Sequence, residues 1–178
     1  LDLMSRARAS APLIAAEMID ATGLALAESA LGLPAPLARR WPVVALIEVA
    51  DGGDAGGLPI GDDDDAVVAL DGPGQERLWA LRERQAEAYA TLGVVHKLDV
   101  SLPLDRLPAV LDEVGAHLAA NPTVTAHGCF GHLADGNIHI EFVGPQDGDL
   151  SIDDAVLAMV ARAGGSVAAE HGIGRLKV

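Results

Sequence analysis

The sequence has 178 residues, a formal net charge of −14 at pH 7 and a single cysteine, Cys129. A charge of this sign argues against nucleic acid or an anionic membrane surface as a partner. One cysteine excludes a disulfide framework and is typical of a reducing compartment, so we expect a cytoplasmic protein. Half of the residues are hydrophobic but only 3% are aromatic, which predicts an aliphatic core. No apolar run approaches the roughly 18 residues that a membrane span needs.

The first half of the chain is predicted to contain two helices and two strands. Residues 10–32 have the apolar spacing of a helix, and the nearly continuous β-branched run at 42–49 indicates a buried strand. Residues 51–65 are rich in Gly and Asp. They predict a solvated loop rather than a calcium site, because the acidic residues lack the alternating ligand spacing of an EF-hand. A short strand at 66–70 and a helix at 75–92 follow.

From residue 94 onward the pattern is regular and predicts the order β-α-β-β-α-β. This is the order of the ferredoxin-like split unit. The predicted class is therefore α+β, with an antiparallel sheet and helices on one face. The predicted elements are strands at 94–102, 123–130, 137–143 and 166–169 and helices at 105–118 and 152–163.

The hairpin around Asp135 and Gly136 contains the first candidate site. Asp-Gly favours a two-residue type I′ turn, which would place His132 directly opposite His139. Directly opposed residues have Cβ atoms roughly 4.5–5.5 Å apart, so both imidazoles could bind one metal ion. The alternative is a surface hairpin that carries two histidines by chance.

A second motif lies near the C-terminus, where a strand of small residues leads into Glu170 and His171. Glu170 would complete a His, His, Glu set that leaves one metal position open for substrate or water. His171 would point the other way and act as a base. Gly172 and Gly174 would let the backbone approach a ligand closely. The ferredoxin-like order puts Glu170 and the Asp-Gly turn at opposite ends of the sheet, so a bulge or a looser loop would be required.

Four segments, 78–83, 97–103, 131–139 and 170–174, together resemble the C-terminal substrate domain of FAD-linked 2-hydroxyacid dehydrogenases. The resemblance implies two ferredoxin-like subdomains, here 1–93 and 94–178, and a flavin-binding domain that is absent from this chain. It implies oxidation of a D-2-hydroxy acid to a 2-oxo acid, with hydride transfer to FAD.

The resemblance also implies roles for individual residues. His171 would be the base, and a divalent metal, usually zinc, would bind the substrate's oxygens. Two departures from the family pattern weaken any specificity for hydroxyglutarate. Members with that specificity carry a hydroxyl side chain at the position of Ala86, and many members carry asparagine at the position of Glu141. The implied ligands are His132, His139 and Glu170 for the metal, Arg82, Lys97 and Asn137 for the substrate, and Gly172 and Gly174 for the cofactor.

Two other functions remain open from the sequence. One is a zinc hydrolase that uses the same His, His, Glu set with a metal-bound water. The other is a non-catalytic ferredoxin-like binding module. For the dehydrogenase, the partners are a small 2-hydroxy acid, an electron acceptor and the flavin-binding domain. We expect this fragment alone to be inactive, and the apolar surface that it would expose favours a homodimer.

Overall fold

The computed structural model describes residues 2–10, 12–50, 60 and 65–168. Within this part of the chain, helices and strands alternate along most of the sequence. No helix there is both long enough and apolar enough to cross a membrane. The helices are α1 (Asp2–Ser10), α2 (Ala21–Leu31), α3 (Gly72–Glu83), α4 (Gln85–Ala90), α5 (Leu107–Ala120) and α6 (Ser151–Arg162), and the strands are β1 (Leu13–Asp20), β2 (Val43–Val49), β3 (Val95–Ser101), β4 (Ala126–His132) and β5 (Asn137–Val143).

The strands form one antiparallel sheet in the order β2-β1-β4-β5-β3. At the outer edge of β3, Ser101 forms an isolated antiparallel bridge with Ser166. The second half of the chain therefore has the strand order of a ferredoxin-like unit, with Ser166 where the fourth strand is expected. The predicted α+β class and antiparallel sheet are confirmed. Of the strand predicted at 166–169, the described residues form only this bridge.

The main apolar core lies between one face of the sheet and the helices α5 and α6. Ile138, Ile140 and Phe142 alternate along β5 and point into it, together with Val114 of α5 and Val156 of α6. Each of these side chains is almost fully buried. At about 25 cal/mol per Å² of apolar surface, burial of these side chains is the main favourable contribution to folding.

Helices cover the opposite face as well, which corrects the prediction that they lie on one face only. Ile19 of β1 packs against Leu24 of α2 and Leu81 of α3. Phe130 of β4 packs with Tyr89 of α4. The reason is that α2, α3 and α4 also carry apolar side chains, which become buried by packing against Ile19 and Phe130 on this face.

The predicted helix at 10–32 is wrong in its first part, because Leu13–Asp20 is strand β1. This strand pairs with both β2 and β4, so tertiary hydrogen bonding overrides its helical spacing. The helix α2 begins only after Asp20, whose carboxylate accepts a hydrogen bond from the backbone N–H of Gly23 at 2.8 Å. The helix predicted at 75–92 is divided at Arg84, and residues 66–70 form no strand.

Candidate functional site

The loop between β4 and β5 is longer than the predicted two-residue turn. His132 pairs with Asn137, and His139 pairs with Phe130, so the predicted opposition of the two histidines is wrong. Asp135 explains the difference, because its carboxylate accepts a hydrogen bond from the backbone N–H of Asn137 at 3.0 Å. Residues 133–136 thus form the looser loop that the sequence left open as an alternative.

The two histidines nevertheless lie on the same face of the sheet. In an antiparallel pair, residues two positions apart on neighbouring strands are diagonal neighbours that share a face. The ring centroids of His132 and His139 are 6.2 Å apart, in an edge-on arrangement. The ring of His139 also lies 5.2 Å from that of Phe130. This is the face that α2, α3 and α4 partly cover.

Each histidine has a carboxylate beside its Nδ1 atom. The Nδ1 atom of His132 lies 2.7 Å from Glu17 Oε1, a hydrogen bond across the β1–β4 pair. The Nδ1 atom of His139 lies 3.6 Å from Asp99 Oδ1, which is an ion-pair distance rather than a hydrogen bond. Metal-binding histidines usually have a carboxylate or carbonyl at the second ring nitrogen, because it fixes the ring and its tautomer.

Arg82 reaches the same face from the last turn of α3. Its Nε atom donates a hydrogen bond to Glu17 Oε2 at 2.8 Å, and its side chain is only 11% exposed. Its guanidinium carbon lies 5.0 Å from the centre of the Phe130 ring, close enough for a cation–π contact. Glu17 therefore bridges a helix arginine and a strand histidine, and all three side chains are held in one orientation.

Lys97 lies at the outer side of the face, where its Nζ atom is 3.8 Å from Glu141 Oε1. Lys97 is more than half exposed, whereas Glu141 is buried. Burial raises the pKa of the Glu141 carboxyl, and the nearby Lys97 charge partly opposes this rise. Lys97 therefore already lies near one carboxyl group of this chain before any ligand binds.

Asn137 is buried between the neighbouring strands, opposite His132 on one side and Ser101 on the other. Its Oδ1 atom and Glu141 Oε2 have no hydrogen-bond partner among the described residues. A buried polar atom that lacks a partner costs roughly 1–3 kcal/mol. Such atoms on the histidine face are ready to accept hydrogen bonds from a ligand.

The other predicted site residues, Glu170, His171, Gly172 and Gly174, lie outside the described residues. Within the described part of the chain, no group of three or more His, Cys, Asp and Glu side chains is arranged to hold a metal ion. The described donors still fit a divalent metal in their chemistry. Two imidazoles share a face, and each has a carboxylate at Nδ1, which leaves Nε2 as the ring atom that could bind the ion.

Sequence reasoning missed Glu17 and Asp99, the two carboxylates beside the histidines. Glu17 fell within the predicted helix at 10–32, so its cross-strand neighbour could not be identified. The available signal was that Glu17 is the one charged residue in the apolar run 13–19. A lone charge in a strand that is buried on both sides needs a partner.

Comparison with known proteins gives the family. The family described as FAD linked oxidases, C-terminal domain, matches residues 1–178. The mitochondrial D-2-hydroxyglutarate dehydrogenase of Bos taurus is 34% identical over 176 residues, which cover 91% of this chain and 32% of that protein. The D-2-hydroxyglutarate dehydrogenase of Xanthomonas citri pv. viticola is 34% identical over 165 residues, covering 82% and 34%.

A Schizosaccharomyces pombe protein named for D-lactate dehydrogenase is 30% identical over 189 residues, which cover 93% of this chain and 36% of that protein. The chain therefore spans about a third of the length of these relatives. The resemblance of the four sequence motifs is confirmed, and the chain belongs to the family of FAD linked oxidases, C-terminal domain.

Proposed function

We propose that this chain is the substrate- and metal-binding part of an FAD-dependent dehydrogenase that oxidises a D-2-hydroxy acid to a 2-oxo acid. Family membership and the names of the relatives support an FAD-linked dehydrogenase. The observation that carries the proposal is the pair of imidazoles on one sheet face, 6.2 Å apart, beside the bridged Arg82 and Glu17.

In this proposal His132, His139 and Glu170 bind a divalent metal ion. Glu170 lies four residues after Ser166, which forms the isolated bridge to β3. Four extended residues span at most about 14 Å, while β5 with His139 and β4 with His132 lie two and three strand spacings of about 4.8 Å from Ser166. Chain length therefore lets Glu170 approach the histidines from the β3 edge. Zinc suits this set, because imidazole and carboxylate are ligands that it commonly takes.

The chain's own residues would bind and orient the hydroxy acid. Arg82 would pair with a substrate carboxylate through its terminal guanidinium nitrogens, since its Nε is bonded to Glu17. Asn137 Oδ1 would accept a hydrogen bond from the substrate. Lys97 would contribute less, because its side chain is more than half exposed and already lies 3.8 Å from the Glu141 carboxyl group. Gly172 and Gly174 would allow close approach of the flavin.

His171 would accept the proton of the substrate's 2-hydroxyl, a task that suits imidazole near neutral pH. When bound, the metal supplies positive charge that lowers the pKa of the hydroxyl, and the flavin supplies the hydride acceptor. Arg82 and Asn137 would hold the substrate in one orientation while the proton leaves. Such positioning contributes to the rate because it removes the entropic cost of alignment.

The test uses the intact protein, including its flavin-binding part. Metal content is measured by mass spectrometry. Loss of flavin absorbance is followed anaerobically after adding D-2-hydroxyglutarate or D-lactate, with their L-enantiomers as controls, or the achiral acid glycolate. We expect reduction by at least one of these acids and lower metal content in His132→Ala and His139→Ala. The control His117→Ala, on α5, should resemble the wild type. Flavin that no 2-hydroxy acid reduces would overturn the proposed activity, and unchanged metal content in both variants would overturn the metal site.

A further inference from the structure

Glu17 occupies a position on the site face to which the sequence assigned no role. It lies in β1, an interior strand of the sheet, and only 3% of its surface is exposed. Its two carboxylate oxygens have different partners. Oε1 accepts a hydrogen bond from His132 Nδ1 at 2.7 Å, and Oε2 accepts one from Arg82 Nε at 2.8 Å. A buried carboxylate with both oxygens used in this way is fixed in position.

The contact with His132 determines how its ring is used. A carboxylate offers only hydrogen-bond acceptors, so the ring nitrogen that faces Glu17 carries the proton. Nε2 is then the unprotonated ring nitrogen, and it could bind an ion. The corresponding contact of His139 is longer, with its Nδ1 atom 3.6 Å from Asp99 Oδ1. Its 2.7 Å contact with His132 thus places Glu17 to define the orientation of a histidine ligand.

The contact with Arg82 has a parallel consequence. Because Nε is bonded to Glu17 and the guanidinium lies over Phe130, the arginine side chain is confined to one direction above the sheet. A confined guanidinium loses less rotational freedom when it binds an anion. The same carboxylate therefore controls one residue proposed to bind metal and one proposed to bind substrate.

We propose that Glu17 is a positioning residue that orients His132 toward the metal and Arg82 toward the substrate carboxylate at the same time. This inference rests on the proposed function of the site. It requires no contact between Glu17 and either ligand, since it acts through its two hydrogen bonds. A residue of purely structural value would instead affect stability without changing metal affinity or substrate binding.

The test compares Glu17→Gln with the wild-type intact protein. Glutamine offers one oxygen acceptor in place of two, so it can serve His132 or Arg82 but not both. We expect the zinc dissociation constant, measured against a competing chelator, to rise about 10- to 100-fold. The KM for the 2-hydroxy acid should rise by a larger factor than kcat falls, because Arg82 binds the substrate before the reaction as well as during it.

Glu48→Gln is the matched control. Glu48 lies in β2 and accepts a hydrogen bond from Trp79 Nε1 at 3.0 Å, away from the histidines. This variant should keep wild-type zinc affinity and KM. If wild-type protein binds no zinc and no 2-hydroxy acid reduces its flavin, the proposed function fails. If the wild type does both and Glu17→Gln matches it in zinc affinity and KM, only the role of Glu17 is overturned.

A measurement on the wild-type protein guards against a Glu17→Gln variant that does not fold. In a crystal structure of the intact protein, Glu17 should accept hydrogen bonds from both His132 Nδ1 and Arg82 Nε at about 2.7–3.2 Å. A carboxylate that contacts only one of the two, or neither, would overturn the inference without any variant.

Discussion

Gly128 in β4 is a position where one methyl group should destabilise the fold. A Cβ atom there would lie 2.1 Å from Tyr89 Oη and 2.5 Å from Asp20 Oδ2. Comfortable separations between such atoms are about 3.5–4.0 Å. Neither neighbour can easily move, because Tyr89 is fully buried and the Asp20 carboxylate accepts hydrogen bonds from the backbone N–H groups of Gly23 and Cys129, both at 2.8 Å.

These two clashes determine how far Gly128→Ala should lower the free energy of unfolding. Overpacking a well-packed core costs about 1–3 kcal/mol. Displacing Asp20 would add about 1 kcal/mol, the usual value of a helix N-cap. The free energy of unfolding should therefore fall by about 2–4 kcal/mol. Gly115→Ala, in helix α5, is the control, because its added Cβ would have no atom within 4 Å. Its free energy of unfolding should rise by about 0.5–1 kcal/mol.

Native-state hydrogen exchange of the intact protein can measure both effects, because it reports opening free energies segment by segment. The amides of β4 and β5 should lose protection in Gly128→Ala, and those of α5 should gain it in Gly115→Ala. Adding Tyr89→Phe to Gly128→Ala removes the nearest clashing atom and should restore part of the loss, because Asp20 still interferes. Wild-type protection in Gly128→Ala, or no recovery in the double variant, would refute this packing argument.

Three further predictions concern other parts of the molecule. Glu141→Gln removes the carboxylate beside Lys97, so Lys97 can pair with a second substrate carboxylate. The ratio of kcat/KM for a dicarboxylate to that for a monocarboxylate 2-hydroxy acid should rise by up to about fivefold, which corresponds to a charge pair worth about 1 kcal/mol. Burial raises the pKa of Cys129 to about 12, so iodoacetamide should not label the native protein at pH 8 but should label it after unfolding. Asp153→Ala removes the carboxylate that lies 2.8 Å from Nδ1 of the buried His96. The free energy of unfolding should fall by about 1–3 kcal/mol, measured by hydrogen exchange in β3 and α6.

Each of these predictions has its own control. Glu113→Gln, which breaks an exposed pair with Arg162, should leave substrate selectivity unchanged, and an equally unchanged ratio in Glu141→Gln would contradict the role given to Lys97. Rapid native labelling of the peptide containing Cys129 would contradict the raised pKa of its thiol. Asp154→Ala changes an exposed acid in the same helical turn as Asp153, and equal losses in the two variants would contradict the His96 argument.

The second half of the fold could be predicted from the sequence because its elements are strongly periodic. Helix α5 and strand β5 lie within about two residues of their predicted ends, since their apolar spacing matches a half-buried helix and strand. Strand β1 could not be predicted in the same way. Its residues also fit a helix, and its extended form depends on pairing with β2 and β4, which lie far away in the sequence.

The candidate site was predictable only in part. The motif containing His132 and His139 indicated two imidazoles on one face, and the structure places them there. The predicted register between them was wrong, because the Asp135 carboxylate accepts a hydrogen bond from the backbone N–H of Asn137 and the loop has four residues instead of two. The bridge from Arg82 to Glu17 joins residues 65 positions apart, and no local pattern identifies such a pair.

We propose that one divalent metal ion is bound by His132, His139 and Glu170. Anomalous X-ray diffraction on either side of the zinc edge, from crystals of the intact protein, tests it most directly. We expect a single peak within about 2.0–2.2 Å of an Nε2 atom of each histidine and of the Glu170 carboxylate. A zinc ion bound by other residues, or zinc-soaked crystals in which these three side chains point apart with no peak between them, would contradict it.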